Sequence, residues 1–188
     1  MTFFKPVLTV SLLTLLLGGC ASLLPSAKSE SSPFESFEQA QATFEGLVPM
    51  KSDVAALQKL GIAPLDYPNT VILTHADIVR RFVPSGLIQR SDLDAGVVAC
   101  LEARDACRGW EVAAARISKK RTGNFFADFT NFSRRQETTG WRFSGLILLV
   151  KEKVVYRSWS GQPRVNEVEI TNNPLGPFQD IGPAVLTR

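Results

Sequence analysis

Few residues of this chain are suited to metal or redox chemistry. The sequence has a single histidine, His75, and three cysteines, Cys20, Cys100 and Cys107. Protein zinc sites take three or four such ligands, so we expect neither a metal nor a resident cofactor. The formal net charge is only +3 over 188 residues, with acids and bases spread along the chain. Because nucleic-acid-binding proteins carry a concentrated basic surface, no nucleic-acid partner is expected.

Long hydrophobic runs are also scarce, and the longest lies at the amino terminus. Lys5 precedes an apolar stretch at residues 7–17, and two glycines and Cys20 follow. This stretch is shorter than the ~20 residues that a bilayer span needs. A short apolar run that ends in small residues is typical of a secretory signal peptide. Residues 1–19 are therefore predicted to be a signal peptide that is removed.

The residues at the predicted cleavage site, Leu17-Gly18-Gly19-Cys20, resemble the lipobox of bacterial lipoproteins. The resemblance implies that diacylglycerol is attached to the thiol of Cys20, that signal peptidase II cleaves before it, and that further acylation (palmitate) follows. Several acyl chains on one cysteine give lasting attachment, since each buried CH₂ contributes about 0.8 kcal/mol. By similarity to enterobacterial sorting rules, Ala21 implies transfer to the outer membrane, with the protein facing the periplasm. The alternative is an ordinary secretory signal with an incidental cysteine.

Cys100 and Cys107 are the thiols that remain once Cys20 is modified. Disulfides form and persist outside the cytosol, so this pair is predicted to be bonded, and two buried free thiols are the alternative. Residues seven positions apart on a regular helix have α-carbons about 10 Å apart, beyond the ~7 Å that a disulfide spans. A bond therefore requires a loop or a single turn at residues 101–106.

The mature chain divides by composition into a tether, a domain and an extension. Residues 20–35 are rich in serine and poor in apolar residues, which is typical of a flexible linker. Residues 36–161 carry the apolar periodicity of a single domain. Residues 162–188 contain four prolines, which indicate an extended segment that lies over the domain or reaches a partner.

Helical spacing precedes strand-like alternation within the predicted domain. Ser36 and Ser52 are candidate N-caps of two short helices, and Thr74 of a third. Strands are predicted at residues 71–73, 110–119, 125–135, 141–150 and 154–159. Apolar residues on both faces of 141–150 make this strand central. The expected fold is α+β, with N-terminal short helices packed on one face of an antiparallel, roughly four-stranded sheet.

Four aromatic residues on the predicted strands are candidate partner-binding residues: Trp110, Trp141, Tyr156 and Trp159. Trp and Tyr are enriched where proteins anchor partners, although aromatic residues also form sheet cores. A hydrolase would use His75, but no serine or cysteine nucleophile neighbours it in sequence, and a histidine before a helix is usually a surface or capping residue. We therefore expect a protein without enzymatic activity.

The order of lipobox, tether, two short helices and antiparallel sheet is similar to that of the SmpA/OmlA, or BamE-like, outer-membrane lipoproteins. The sequence match lies in residues 52–64, where Val54 and Leu60 precede Gly61 and Pro64. Members of that family assist the machine that inserts β-barrel proteins, so the resemblance implies a periplasmic protein-binding or assembly role. No functional residue is carried over from the family. The alternatives are a lipid-binding envelope module and a cell-wall or lipid hydrolase that uses His75.

Overall fold

Long strands fill the second half of the chain. The computed structural model describes residues 24–84 and 88–178. Its elements follow in the order β1 (Ser26–Ser31), α1 (Phe37–Gly46), α2 (Val54–Lys59), β2 (Thr70–Leu73), α3 (His75–Phe82), α4 (Ala95–Ala103), β3 (Cys107–Thr122), α5 (Phe125–Phe129), β4 (Ser133–Val150) and β5 (Lys153–Asn172). The predicted α+β class is confirmed, with five strands where roughly four were expected.

The five strands form one antiparallel sheet. Its order is β1-β3-β4-β5, and β2 also pairs with β3, so that Thr70 lies opposite Val112 and Leu73 opposite Gly109. A two-residue turn joins β4 to β5, and its first residue, Lys151, has a φ of 57°. The sheet is therefore built around a β3-β4-β5 meander with two short strands beside β3.

The chain folds as two compact units. The larger unit comprises Ser29–Ile117 and Gly140–Val165, and the smaller unit takes residues 24–28, Ser118–Thr139 and 166–178 of the described chain. These units differ from the predicted boundaries at 36 and 161. Part of the predicted tether forms β1, and β5 continues to Asn172 through the predicted extension. Strand pairing is made by backbone groups, so the exposed polar residues of β1 pair without an apolar pattern. The predicted signal peptide and Cys20 lie outside the described residues.

Helices α1 and α2 cover one face of the sheet in the larger unit. Phe37, Ala40 and Phe44 of α1 pack with Ile147 and Leu149 of β4 in one buried cluster. Helix α1 begins where predicted, because the hydroxyl of Ser36 accepts a hydrogen bond from a first-turn backbone N–H. The sequence thus specifies this helix locally, through its cap and its apolar spacing.

Helices α3 and α4 cover the opposite face. Ile78 and Val97 from these helices pack against Leu146 and Leu148 of β4, which alternate along the strand with the residues of the first cluster. Strand β4 is therefore buried on both faces, as predicted from its apolar residues. The sequence predicted helices on one face of the sheet only. The helices on the second face are formed by residues 75–103.

The predicted disulfide joins α4 to β3. Cys100 and Cys107 are bonded, with their α-carbons 5.0 Å apart. Helix α4 ends at Ala103, and a single 3-10 turn that begins at Arg104, with a φ of 48°, reverses the chain. The helix ends between the two cysteines, as the geometric argument requires, so both the bond and the break are confirmed.

The region around α5 differs from the sequence prediction. Residues 125–135 were expected to form one strand, but Phe125–Phe129 is a helix and β4 begins only at Ser133. The side chain of Asn124 accepts hydrogen bonds from two first-turn N–H groups, which starts the helix despite a phenylalanine-rich sequence that favours strands. Strand β4 also includes residues 136–140, which lie between two of the predicted strands.

Candidate functional site

The four candidate aromatic residues do not form one surface. Trp141 is 9% exposed and belongs to the first core cluster, and Trp110 packs partly buried against the same cluster. Trp159 is 36% exposed and stacks on Phe143, with ring centroids 6.1 Å apart. For Trp141 the structure therefore supports the alternative of a sheet-core residue, and none of these three lines a described groove.

Tyr156 lies on the other face, in a groove between α4 and β5. The groove has a volume of about 370 Å³. Its apolar lining includes Pro49, Met50, Ala95, Ala99 and Val155, and its charged residues are Asp94 and Arg157. The phenol ring of Tyr156 is held by Phe82 of α3, in an edge-to-face contact with centroids 5.7 Å apart. Of the four candidates, Tyr156 thus lines a groove on a rigid support.

The floor of this groove depends on Gly96. A Cβ at Gly96 would overlap the carbonyl group of Val155, with the carbonyl carbon 2.7 Å away. Helix α4 therefore lies directly against the backbone of β5. The carboxylate of Asp94 accepts a hydrogen bond from Gly96 N at 2.7 Å, which fixes the first turn of the helix at this contact.

The groove is bordered by the exposed side chain of Met50 and by the guanidinium of Arg157, which is held in place by hydrogen bonds. Met50 is 67% exposed, while its backbone N–H donates to Val154 O at 2.7 Å. The guanidinium of Arg157 donates to Glu45 O at 2.9 Å and also to Leu47 O, carbonyls at the end of α1 that lack intrahelical partners. Methionine adapts to partner surfaces, so the groove has an adaptable wall and a fixed positive charge.

A second groove runs along the other side of α4. It has a volume of about 560 Å³ and is lined by Arg90, Ser91, Leu93, Ala95, Val98, Ala99 and Glu102. Ala95 and Ala99 line both grooves. We call the outer face of α4 (Ala95, Val98, Ala99) with its two flanking grooves the α4 surface. Of this surface only Tyr156 is predicted from the sequence, although a helix with Glu102 as its single charged residue is the available signal.

His75 has a structural partner. Its Nε2 lies 3.1 Å from the carbonyl oxygen of Leu101. Because a carbonyl oxygen only accepts, Nε2 carries the hydrogen and donates it. His75 is the first residue of α3 and Leu101 lies near the end of α4, so this bond ties the two helices together.

The titratable groups with shifted pKa values lie at helix starts and in the core. Hydrogen bonds from the side chain and backbone of Thr74, the N-cap of α3, lower the pKa of Asp77 to about 2, and Arg80 adds to the shift. A hydrogen bond from the backbone of Ala56 lowers the pKa of Asp53, which is the N-cap of α2 in place of the predicted Ser52. Burial raises the pKa of Tyr67. None of these groups lines the α4 surface. The pKa shifts of Asp53 and Asp77 come from helix capping, and that of Tyr67 comes from burial.

The described residues contain neither a metal-ion cluster nor a helix suited to crossing a membrane. In residues 24–84 and 88–178, no group of three or more His, Cys, Asp or Glu side chains is placed to hold a metal ion. Over the same ranges, no helix combines the length and hydropathy needed to cross a bilayer. Comparisons with models of protein families, with curated proteins and with solved structures gave no match.

Proposed function

We propose that this chain is a bacterial envelope lipoprotein without enzymatic activity, anchored through acylated Cys20, that binds another envelope protein at the α4 surface. The observation that carries the binding role is the apolar outer face of α4 between two open grooves. The anchor is supported by the lipobox-like sequence and the short apolar run before it. The proposed location is the periplasmic side of the outer membrane.

The composition of the α4 surface supports a protein partner. Aromatic residues, methionine and arginine are enriched at the centres of protein interfaces, with charged residues at the rim. Here Tyr156 and Met50 line one groove, while Arg90 forms an ion pair with Glu102 beside the other. An apolar face bordered by charged side chains can exclude water from a partner and also fix its orientation.

Rigidity also favours binding at this surface. The contact of Gly96 with β5 and the Cys100–Cys107 disulfide hold α4 at both ends. A surface that is ordered before binding loses less conformational entropy when a partner arrives. Assembly of outer-membrane β-barrel proteins is the pathway that we propose for this binding role, and membership of the SmpA/OmlA family stays a prediction.

Crosslinking in intact cells tests the binding role. A photo-reactive amino acid at Ala95, which lines both grooves, is expected to capture an envelope protein that mass spectrometry identifies. The matched control carries the same residue at Leu65, which is 98% exposed, lies in the larger unit and lines neither groove. Equal capture at both positions, or none at Ala95, would contradict the proposal.

A charged substitution on the α4 surface tests partner binding without changing the stability of the fold. Ala99→Arg puts a cation between the two grooves and is expected to abolish the adduct formed from position 95. Leu65→Arg is the control and should leave that adduct unchanged. Both variants should keep the thermal midpoint of the parent, since substitutions away from packed sites change stability by about 0.5 kcal/mol or less. An adduct that survives Ala99→Arg would place the partner elsewhere.

A further inference from the structure

Exposed apolar side chains are concentrated in the smaller unit. Phe126, Phe129, Phe132, Leu175 and Phe178 are between 49% and 76% exposed. We call these five residues the phenylalanine cap. Single exposed apolar residues are normal, but a contiguous group of large ones marks a surface that contacts another molecule or a membrane.

The cap is one surface because its two chain segments are joined. Asn173 N donates to Phe132 O at 2.8 Å, and the hydroxyl of Ser133 donates to the side-chain oxygen of Asn172 at 2.8 Å. A Cβ at Gly176, which lies between Leu175 and Phe178 in the chain, would be 2.8 Å from the ring of Phe132. The segment after β5 therefore lies directly against the segment after α5.

Helix α5 is turned with its polar side inward. The carboxylate of Asp128 is 6% exposed and pairs with Arg121 at 3.0 Å, with Arg134 at 3.9 Å. Phe126 and Phe129 of the same helix point outward and are 63% and 76% exposed. This is the reverse of the amphipathic pattern by which helices in water bury their apolar side. The ion pair thus holds the helix in the orientation that exposes its phenylalanines.

Positive charge accompanies the cap. Over the described residues of the smaller unit, six basic residues outnumber four acidic ones, and five of the six lie in residues 118–139. Two of the basic residues, Lys119 and Lys120, are exposed and lie just before Arg121, which bonds to α5. Basic residues next to a membrane are attracted to anionic lipid headgroups. The charge favours an anionic bilayer as the occupant of this surface.

The start of the described chain places a lipid anchor close to the cap. The carbonyl of Pro25 accepts a hydrogen bond from Arg121 N at 3.1 Å, and Arg121 is the residue that pairs with Asp128 of α5. Cys20 is five residues before Pro25, so even an extended chain reaches only about 18 Å between them. A lipid on Cys20 therefore holds the smaller unit at the membrane surface.

We infer that the phenylalanine cap is a membrane-docking surface, whose side chains enter the boundary between headgroups and acyl chains of the anionic bilayer that holds the anchor. The inference rests on the proposed acylation of Cys20. It adds a second attachment of different chemistry, since apolar side chains flanked by basic residues bind the interface without crossing it. Docking of this kind restricts how the tethered protein is oriented at the surface.

The test uses the full acylated chain in vesicles of phosphatidylcholine with phosphatidylglycerol. With Cys20 acylated and Cys100 bonded to Cys107, Phe126→Cys supplies a single free thiol for the environment-sensitive fluorophore NBD. The control is Thr139→Cys, an exposed position of the same unit. It lies six residues along β4 from Ser133, about 20 Å at the strand rise.

The label at position 126 is expected to brighten, shift to shorter wavelength and be quenched by lipids brominated near the headgroup, while the label at 139 does none of these. Labelled chains that sediment with vesicles but show no change at 126 would refute docking while leaving the anchor intact. Chains that stay in solution would refute the anchor and docking together. A shift that depends on protein density at constant lipid would show that a second copy covers the cap, which also refutes docking to lipid.

The charge contribution has its own variant. Lys119→Gln with Lys120→Gln, in the chain labelled at position 126, is expected to reduce the emission shift on anionic vesicles at low salt. The same double variant should give the parent's signal on vesicles of phosphatidylcholine alone. An equal shift on both vesicle types in the parent chain would contradict the preference for an anionic surface.

Discussion

The contact between Phe44 and Gly145 gives the sharpest test of how α1 packs on the sheet. Phe44 is fully buried, and its ring centroid lies 5.1 Å from that of Phe143. A Cβ at Gly145 would overlap two atoms of the Phe44 ring and lie 2.9 Å from a third. The ring therefore occupies the space that any larger residue at position 145 would need.

Two single variants and their combination measure this contact. Gly145→Ala overpacks the core and is expected to lower the free energy of unfolding by about 1–3 kcal/mol. Phe44→Ala leaves a cavity and is expected to cost about 3–5 kcal/mol. In the double variant the new methyl enters the vacated space, so its cost should be smaller than the sum of the two by at least about 1 kcal/mol.

Urea unfolding and thermal unfolding, each followed by tryptophan fluorescence, compare the parent, the two single variants and the double variant. Each kcal/mol should move the thermal midpoint by about 2–4 °C for a chain of this size, so Gly145→Ala alone is visible in both assays. Costs that add to within about 0.5 kcal/mol would show that the two residues are independent. That result would refute the packing of the Phe44 ring on the backbone of β4.

Three further predictions concern α4, α3 and the disulfide. Gly96→Ala should destabilise the protein by about 1–3 kcal/mol and displace α4 from β5; unchanged hydrogen exchange in α4 would contradict this. Because the pKa of Asp77 is lowered to about 2 from an ordinary value of 3.8, its contribution to stability is complete above about pH 4 and is lost as the pH falls through 2. Asp77→Asn should therefore remove part of the acid dependence in that window, and identical acid unfolding curves for both proteins would contradict the assignment. Replacing Cys100 and Cys107 with serine should cost about 2–3 kcal/mol by chain entropy, measured by urea unfolding, and an unchanged midpoint would show that the bond adds nothing.

Sequence alone predicts the parts of this fold that depend on neighbours in the chain. Helix α1 follows from the Ser36 cap and from apolar residues at helical spacing. The disulfide follows from the predicted export to an oxidising compartment, and its geometry requires that α4 end before Cys107, as it does at Ala103. The double burial of β4 follows from apolar residues at successive positions. Each of these patterns lies within a short stretch of chain.

The remaining features depend on contacts between distant residues. The α4 surface exists because Gly96 meets the backbone of Val155, a contact that neither segment reveals by itself. Strand β1 is made of exposed polar residues, so its pairing leaves no apolar pattern. The phenylalanines of α5 favour a strand, but the N-cap at Asn124 and the buried Asp128 stabilise a helix there. The sequence leaves both core and surface open for the aromatic residues on strands, and tertiary packing buries Trp141 and places Tyr156 beside a groove.

Mass spectrometry of the amino-terminal peptide tests the central claim of a lipid-anchored protein most directly. Protein extracted with detergent from bacterial membranes is predicted to begin at Cys20 and to carry diacylglycerol on the thiol. A Cys20→Ser chain is the control and should retain residues 1–19 without lipid. A mature protein that begins at another residue, or a Cys20 that carries no lipid, would contradict the account.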